Sequence, residues 1–115
     1  MKINYFFGSD SRSIPAYEAL VSSEIIASTN HIINVVTLDN SNQVRGKNKP
    51  NDFESFCLDN KIPYGYYNDQ DIYDDLEIAL VCSFGKIFPS EFLINNNYGI
   101  FINLHLSLLP DLKGP

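Results

Sequence analysis

The sequence predicts an α/β domain with a mostly parallel sheet and helices flanking it, and three observations carry that expectation. Apolar, β-branched and aromatic runs recur at Lys2 to Phe7, His31 to Leu38, Ile78 to Cys82 and Ile100 to Ile102. Nearly continuous apolar runs of this kind are the mark of strands covered on both faces. Between them lie segments with helical spacing, such as Tyr17, Leu20, Val21 and Ile25. The opening itself runs strand, glycine turn, helix, the first unit of a strand-helix alternation.

Taken in order, the first strand halts at Gly8, and Ser9-Asp10-Ser11 reads as loop. Ser13 is expected to cap a helix that carries Pro15 in its first turn. A single glycine stands where a dinucleotide phosphate loop needs three at Gly-x-Gly-x-x-Gly spacing. That makes a nucleotide-binding reading weak. The strand at 31–38 is followed by a polar stretch from Asp39 to Pro50, a long loop of the kind that often carries function. Asp52 is expected to cap a short helix bearing Phe53, Phe56, Cys57 and Leu58, and Ile62-Pro63-Tyr64 returns as a short strand. Tyr64, Tyr66 and Tyr67 read as core and rim residues rather than a base-stacking platform.

The acidic stretch from Asp69 to Glu77 reads as the solvated face and first turn of a helix rather than a metal site. Ile78 to Cys82 is a buried strand ended by the turn Ser83-Phe84-Gly85. Pro89 to Leu93 starts a short helix, Asn95-Asn96-Asn97 stops it, and Gly99 leads into a final buried strand. The alternation commits the fold to a right-handed, mostly parallel Rossmann-like sheet. In such sheets ligands bind beyond the carboxyl ends of the strands, so the turn at Phe84 and Gly85 and the turn after His105 should flank one pocket.

At 115 residues, 44% of them hydrophobic, the chain suffices for one domain with a modest core. No apolar stretch approaches bilayer length, and no leader is evident at the N-terminus. Cys57 and Cys82 lack metal or redox spacing and are expected as two reduced, buried thiols; no metal is expected. A net charge of −6 argues against nucleic-acid binding unless positive charge is concentrated. Arg45, Lys47 and Lys49 form the one dense basic cluster, and it lies on the long loop.

The final strand delivers Asn103 and His105, two residues apart and therefore on one face if the strand persists. An amide that donates to an oxyanion beside an imidazole that moves protons near neutral pH is equipment for acyl-type transfer. The loop that follows, Leu108-Leu109-Pro110 closing on Gly114-Pro115, can wall an apolar pocket.

Asn103-x-His105-x-Ser107-Leu108-Leu109-Pro110-x-x-Lys113-Gly114 resembles the signature of the enzymes that transfer a formyl group from 10-formyltetrahydrofolate, closest to the methionyl-tRNA formyltransferases. Phe6-Phe7-Gly8-Ser9-Asp10 with Ile14-Pro15, Val35-Val36-Thr37 leading to Arg45-Gly46-Lys47, and Ser83-Phe84-Gly85-Lys86 with Pro89 are similar to further stretches of that family, the last to its fungal mitochondrial branch. The resemblance implies Asn103 and His105 as catalytic residues. It places Ser107, Leu108, Leu109, Pro110, Phe84 and Gly85 around the folate co-substrate. Arg45, Lys47 and Lys49 fall on a loop that approaches the initiator tRNA.

By the same resemblance residues 1–115 are the N-terminal part of a formyltransferase domain. The family's catalytic aspartate, the remaining strands and the C-terminal tRNA-binding domain lie beyond Pro115, and the 115 residues alone are expected to have negligible activity. Leu106 and Asp111 depart from the family pattern. A mitochondrial matrix location is implied, with the cytoplasm as alternative, and a monomer with no membrane association is expected. Other readings are a formyltransferase acting on glycinamide ribonucleotide or an amino sugar, and a non-catalytic remnant.

Overall fold

A computed structural model describes residues 2–23, 32–40 and 49–105 of the chain. Five strands form one sheet, all parallel: β1 Ile3–Phe7, β2 Asn34–Thr37, β3 Tyr64–Tyr66, β4 Ile78–Cys82 and β5 Ile100–Leu104, in the order β3-β2-β1-β4-β5. Three helices occur among the described residues: α1 Ser13–Val21, α2 Asp52–Asp59 and α3 Ser90–Asn95.

The sheet is organised around β1, because consecutive side chains of a strand point to opposite faces. Phe6 and Phe7 are both fully buried, one on each side. Phe6 meets Tyr17 of α1 and Phe53 of α2, each with ring centroids 5.4 Å apart. Phe7 meets Phe84, Phe88, Phe101 and Tyr73 at 5.5, 5.5, 6.0 and 6.1 Å. One dipeptide thus nucleates both cores, and each buried Phe contributes about 1.5–3 kcal/mol by area. Cys57 and Cys82 are free thiols in the Phe6 core.

Several expectations shift on folding. Asn51, not Asp52, caps α2: its side-chain oxygen accepts from the Glu54 N–H at 2.7 Å. Asp52 is the first helical residue, where a carboxylate still favours the positive end of the helix. Ser13 does not cap α1 but begins it, and its buried side chain turns inward. The third strand begins at Tyr64 rather than Ile62, and the second is confined to Asn34–Thr37 within the expected 31–38.

No helix forms between Asp69 and Glu77. Side chains there bond the backbone instead, which competes with helix formation: Asn68 Oδ1 accepts from Gln70 N at 2.8 Å and Asp71 Oδ2 from Asn68 N at 3.2 Å. The segment crosses from β3 to β4 over the Phe7 face, where Tyr67, Tyr73 and Leu76 pack. Two asparagines hold it. Asn96 accepts from Tyr73 N and donates to the Asp71 carbonyl, and Asn4 donates to the Asp75 carbonyl and accepts from Glu77 N.

The expectation of a buried last strand also fails. β5 is an edge of the sheet: Ile100 and Ile102 are each 45% exposed, and Phe101 alone is tucked into the aromatic core.

Candidate functional site

In a sheet ordered β3-β2-β1-β4-β5 the chain reverses direction of travel between β1 and β4, the kind of switch point beyond whose carboxyl ends open α/β sheets bind ligands. The loops at this point are Gly8-Ser9-Asp10 after β1 and Ser83-Phe84-Gly85 after β4. Three serines tie them together. Ser9 N donates to the Ser83 carbonyl at 3.2 Å, and Ser9 Oγ donates to the same carbonyl at 3.2 Å while accepting from Gly85 N at 2.8 Å. Ser13 Oγ donates to the Cys82 carbonyl at 2.8 Å and accepts from Ser9 N at 3.1 Å and Asp10 N at 3.3 Å.

Gly8 is required for this arrangement. A Cβ there would lie 2.6 Å from both Ser13 Cβ and Ser13 Oγ. Ser83 adopts φ 50°, a left-handed conformation uncommon outside glycine, which turns the chain sharply off β4. The serine network also settles what this loop does not do. The loop amides of Ser9 and Asp10 already donate to the Ser13 hydroxyl, the first amides of α1, Ser13 N and Ile14 N, donate to the Asp10 and Ser11 carbonyls, and Asp10 adds a carboxylate paired with Arg12 at 3.1 Å.

β5 runs beside β4 with Val81 opposite Asn103 and Cys82 opposite Leu104. The strand persists through Leu104, so Asn103 shares the face of Phe101, and His105 follows at the strand's carboxyl end, exposed. By that register the turn at Phe84 and Gly85 begins next to His105. The Phe84 ring packs against Phe7 and Tyr67, each 5.5 Å away, whereas Gly85 is exposed at the rim. Ser107, Leu108, Leu109 and Pro110, together with Leu106 and Asp111, lie outside the described residues.

The basic loop is only partly described. Arg45 and Lys47 lie outside the described residues, and Lys49 is exposed just before α2. What the structure adds is the clamp at its base. Asn51 Nδ2 donates to Thr37 Oγ1 at 3.0 Å and to the Leu38 carbonyl at 2.9 Å, joining the end of β2 to the start of α2.

Neither Asn51, Ser9 nor Ser83 stands out by spacing, and Ser13 stands out only as a helix cap, until the strands bring their partners close. Tyr64 and Tyr66 both donate to the buried carboxylate of Glu54, and that hydrogen bond, first among the causes, raises the pKa of both phenols. They are edge-strand residues fastened to α2, not a stacking platform. A hollow of about 450 Å³ opens over Gly65 between Tyr5, Val36 and Tyr73, at a distance in the sheet from Asn103 and His105. Among the described residues no group of three His, Cys, Asp or Glu side chains gathers as a metal site would require, and no helix is long and apolar enough to cross a membrane.

Fold and site together define a doubly wound parallel α/β domain of Rossmann-like type whose equipment is hydroxyl, amide and imidazole groups at the strand ends rather than a phosphate loop. Comparison with known proteins narrows this: the chain is similar over nearly its whole length to methionyl-tRNA formyltransferases. It is 32% identical to that of Thermodesulfovibrio yellowstonii over 118 residues, covering 95% of this chain and 36% of the relative. It is 33% identical to that of Leptospira interrogans over 129 residues, covering 99% of this chain and 38% of the relative. With the Sulfurihydrogenibium protein the identity is 29%, covering 95% and 36%. No family model matches the chain. The chain thus spans a little over a third of the length of the curated relatives it matches.

Proposed function

We propose that this chain forms the Asn103- and His105-bearing part of an enzyme that transfers the formyl group of 10-formyltetrahydrofolate to the amino group of methionyl initiator tRNA, in the service of translation initiation. The observation that carries this reading is the placement of Asn103 and His105 at the carboxyl end of β5, one strand from the switch point between β1 and β4, in a chain similar to methionyl-tRNA formyltransferases.

In the reaction, the amine nitrogen attacks the formyl carbon and its carbonyl oxygen becomes an oxyanion. The folate nitrogen then leaves with a proton as the carbonyl reforms. Asn103 Nδ2 donates to the oxyanion, a contribution of about 2.7–4 kcal/mol for one preorganised donor. His105 accepts the proton of the attacking amine and returns it to the leaving nitrogen, worth on the order of 10²–10⁴ in rate. Phe84, Gly85 and residues 107–110 border the folate, and Arg45, Lys47 and Lys49 meet the tRNA backbone. A mitochondrial matrix location is part of the proposal, supported by the likeness of Ser83-Phe84-Gly85-Lys86 alone.

The test replaces the matching segment of the Thermodesulfovibrio relative with residues 1–115 and measures formylation of charged initiator tRNA. The expected result is turnover that His105→Ala lowers by about 10²–10⁴ and Asn103→Ala by about 10²–10³ with folded protein in both cases. Activity unchanged by either substitution would exclude these residues from the chemistry. The 115-residue chain alone is expected to show negligible transfer.

A further inference from the structure

The Phe7 face of the sheet is covered unevenly. The segment that crosses from β3 to β4, with Phe84, Phe88 and Phe101, closes it over β1 and β4. Over β2 and β3 the same face opens into the hollow of about 450 Å³. Parallel sheets normally have both faces covered, and pockets for small molecules run from about 300 to 1,000 Å³. Gly65 forms the floor. It pairs with Val36 in mid-strand, which sets it on the Phe7 face. Glycine weakens a strand, and nothing in the fold asks for one here: its backbone lies outside the left-handed region, and a Cβ at Gly65 would meet no atom within 4 Å. Gly8 and Gly99, by contrast, are crowded, because a Cβ there would collide with Ser13 or Leu76. A bare strand position beneath open space is the mark of a ligand that approaches the backbone closely.

The walls specify the chemistry of that ligand. Tyr5 and Tyr73 pair with ring centroids 5.0 Å apart. Each hydroxyl donates to a carboxylate, Tyr5 to Asp75 at 2.6 Å and Tyr73 to Asp71 at 2.9 Å. The hydroxyls are thus engaged, and what the pair offers is ring surface, which attracts cations. Asp71 lines the hollow and uses Oδ2 to accept from Tyr73 and from the Asn68 N–H. A carboxylate has about four acceptor sites, so capacity for a further donor remains. Among the described residues that line the hollow there is no Lys, Arg or His, and the chain carries a net charge of −6. An anionic ligand would find no counter-charge there. Ile32 and Ile72, 76% and 60% exposed, form an apolar rim. We propose that the hollow over Gly65 is a second ligand site that takes a small organic ammonium ion, its apolar body on the Gly65 backbone between Ile32 and Ile72 and its charge against Asp71 and the Tyr5 and Tyr73 rings. The site lies toward the β3 edge of the sheet, opposite the β5 edge that carries Asn103 and His105, and is independent of the formyl-transfer reading.

The experiment titrates tryptammonium into the 115-residue chain, followed by calorimetry and by amide chemical shifts. Indole-3-propionate, the same ring bearing a carboxylate, is the counter-probe. The expected result is saturable one-to-one binding with shifts centred on Gly65, Ile72 and Tyr73, and a preference of about tenfold or more for the ammonium. Gly65→Val keeps or raises the thermal midpoint, because its side chain enters open space and suits a strand. The same substitution weakens binding by about tenfold or more, since it fills the floor. Asp71→Asn also weakens binding, whereas Asp69→Asn, which removes the same charge outside the hollow, leaves it unchanged. The proposal is overturned if tryptammonium does not bind saturably, if indole-3-propionate binds as well, or if Gly65→Val binds as tightly as the parent. It is equally overturned if Asp71→Asn and Asp69→Asn act alike. A Gly65→Val chain that fails to fold overturns it too, because the fold itself then needs the space over Gly65.

Discussion

Ser13 Oγ lies 2.8 Å from the Cys82 carbonyl oxygen, joining the first turn of α1 to the end of β4 across 69 residues of sequence. The same hydroxyl accepts from the amides of Ser9 and Asp10 and also reaches the Ser83 carbonyl at 3.4 Å, so one fully buried oxygen serves four backbone groups. Ser13→Ala should cost about 1–3 kcal/mol, the penalty for leaving buried groups unpaired. Urea denaturation of the two proteins measures it, and an unchanged midpoint would show that the network is idle.

Gly8→Ala tests the same junction from the other side. Its Cβ would come within 2.6 Å of Ser13 Cβ and 2.9 Å of Phe6 Cε1, both held in the core. Overpacking of this kind costs about 1–3 kcal/mol. The double substitution Gly8→Ala with Ser13→Gly should lose less than the sum of the two singles, because it removes the clash with Ser13 and leaves only the one with Phe6.

At Asn51 capping and clamping can be separated. Asn51→Ala removes the N-cap of α2 along with the bonds to Thr37 and Leu38, and should cost about 1–2 kcal/mol. Asn51→Asp keeps the acceptor for Glu54 N and loses only the donations, so thermal melts should place it between Ala and the parent. A full loss in the Asp variant would mean that the clamp, not the cap, holds this corner.

Cys57 supplies a pH dependence. Burial foremost, and then the Glu54 charge, push its thiol from the ordinary value of 9.0 up to about 11. The folded state therefore favours the protonated thiol. Stability from this group is fully present below the unfolded pKa and is lost as pH rises from about 9 to about 11. Cys57→Ala, though less stable at every pH because it leaves a cavity, should show a flatter decline over that interval.

Lys49 addresses the proposed acceptor. In the chimeric enzyme, Lys49→Ala should reduce the dependence of log affinity for initiator tRNA on log salt by about 0.9 if the side chain neutralises one phosphate. An unchanged slope would favour a small-molecule acceptor.

Strand identity was legible in the sequence because buried parallel strands need unbroken apolar runs. Ile78–Cys82 matches its expected bounds, and the Asn95–Asn97 stop and the Asn103/His105 pairing at a strand end follow from local composition and period. The helix expected at 69–77 was misread for a local reason as well: acidic residues suit a first helical turn, yet they also bond nearby amides, and nothing in the spacing tells the two apart. Other features depend on residues far apart in the chain. That Asn51 clamps Thr37, that Ser13 turns inward to Cys82 instead of capping, and that Glu54 holds two tyrosines are decided by partners 10 to 69 residues away, which only packing brings within reach. The exposure of β5 is of the same kind. An apolar run announces burial, but whether a neighbour is there to bury it belongs to the order of strands, and that order is a property of the folded sheet alone.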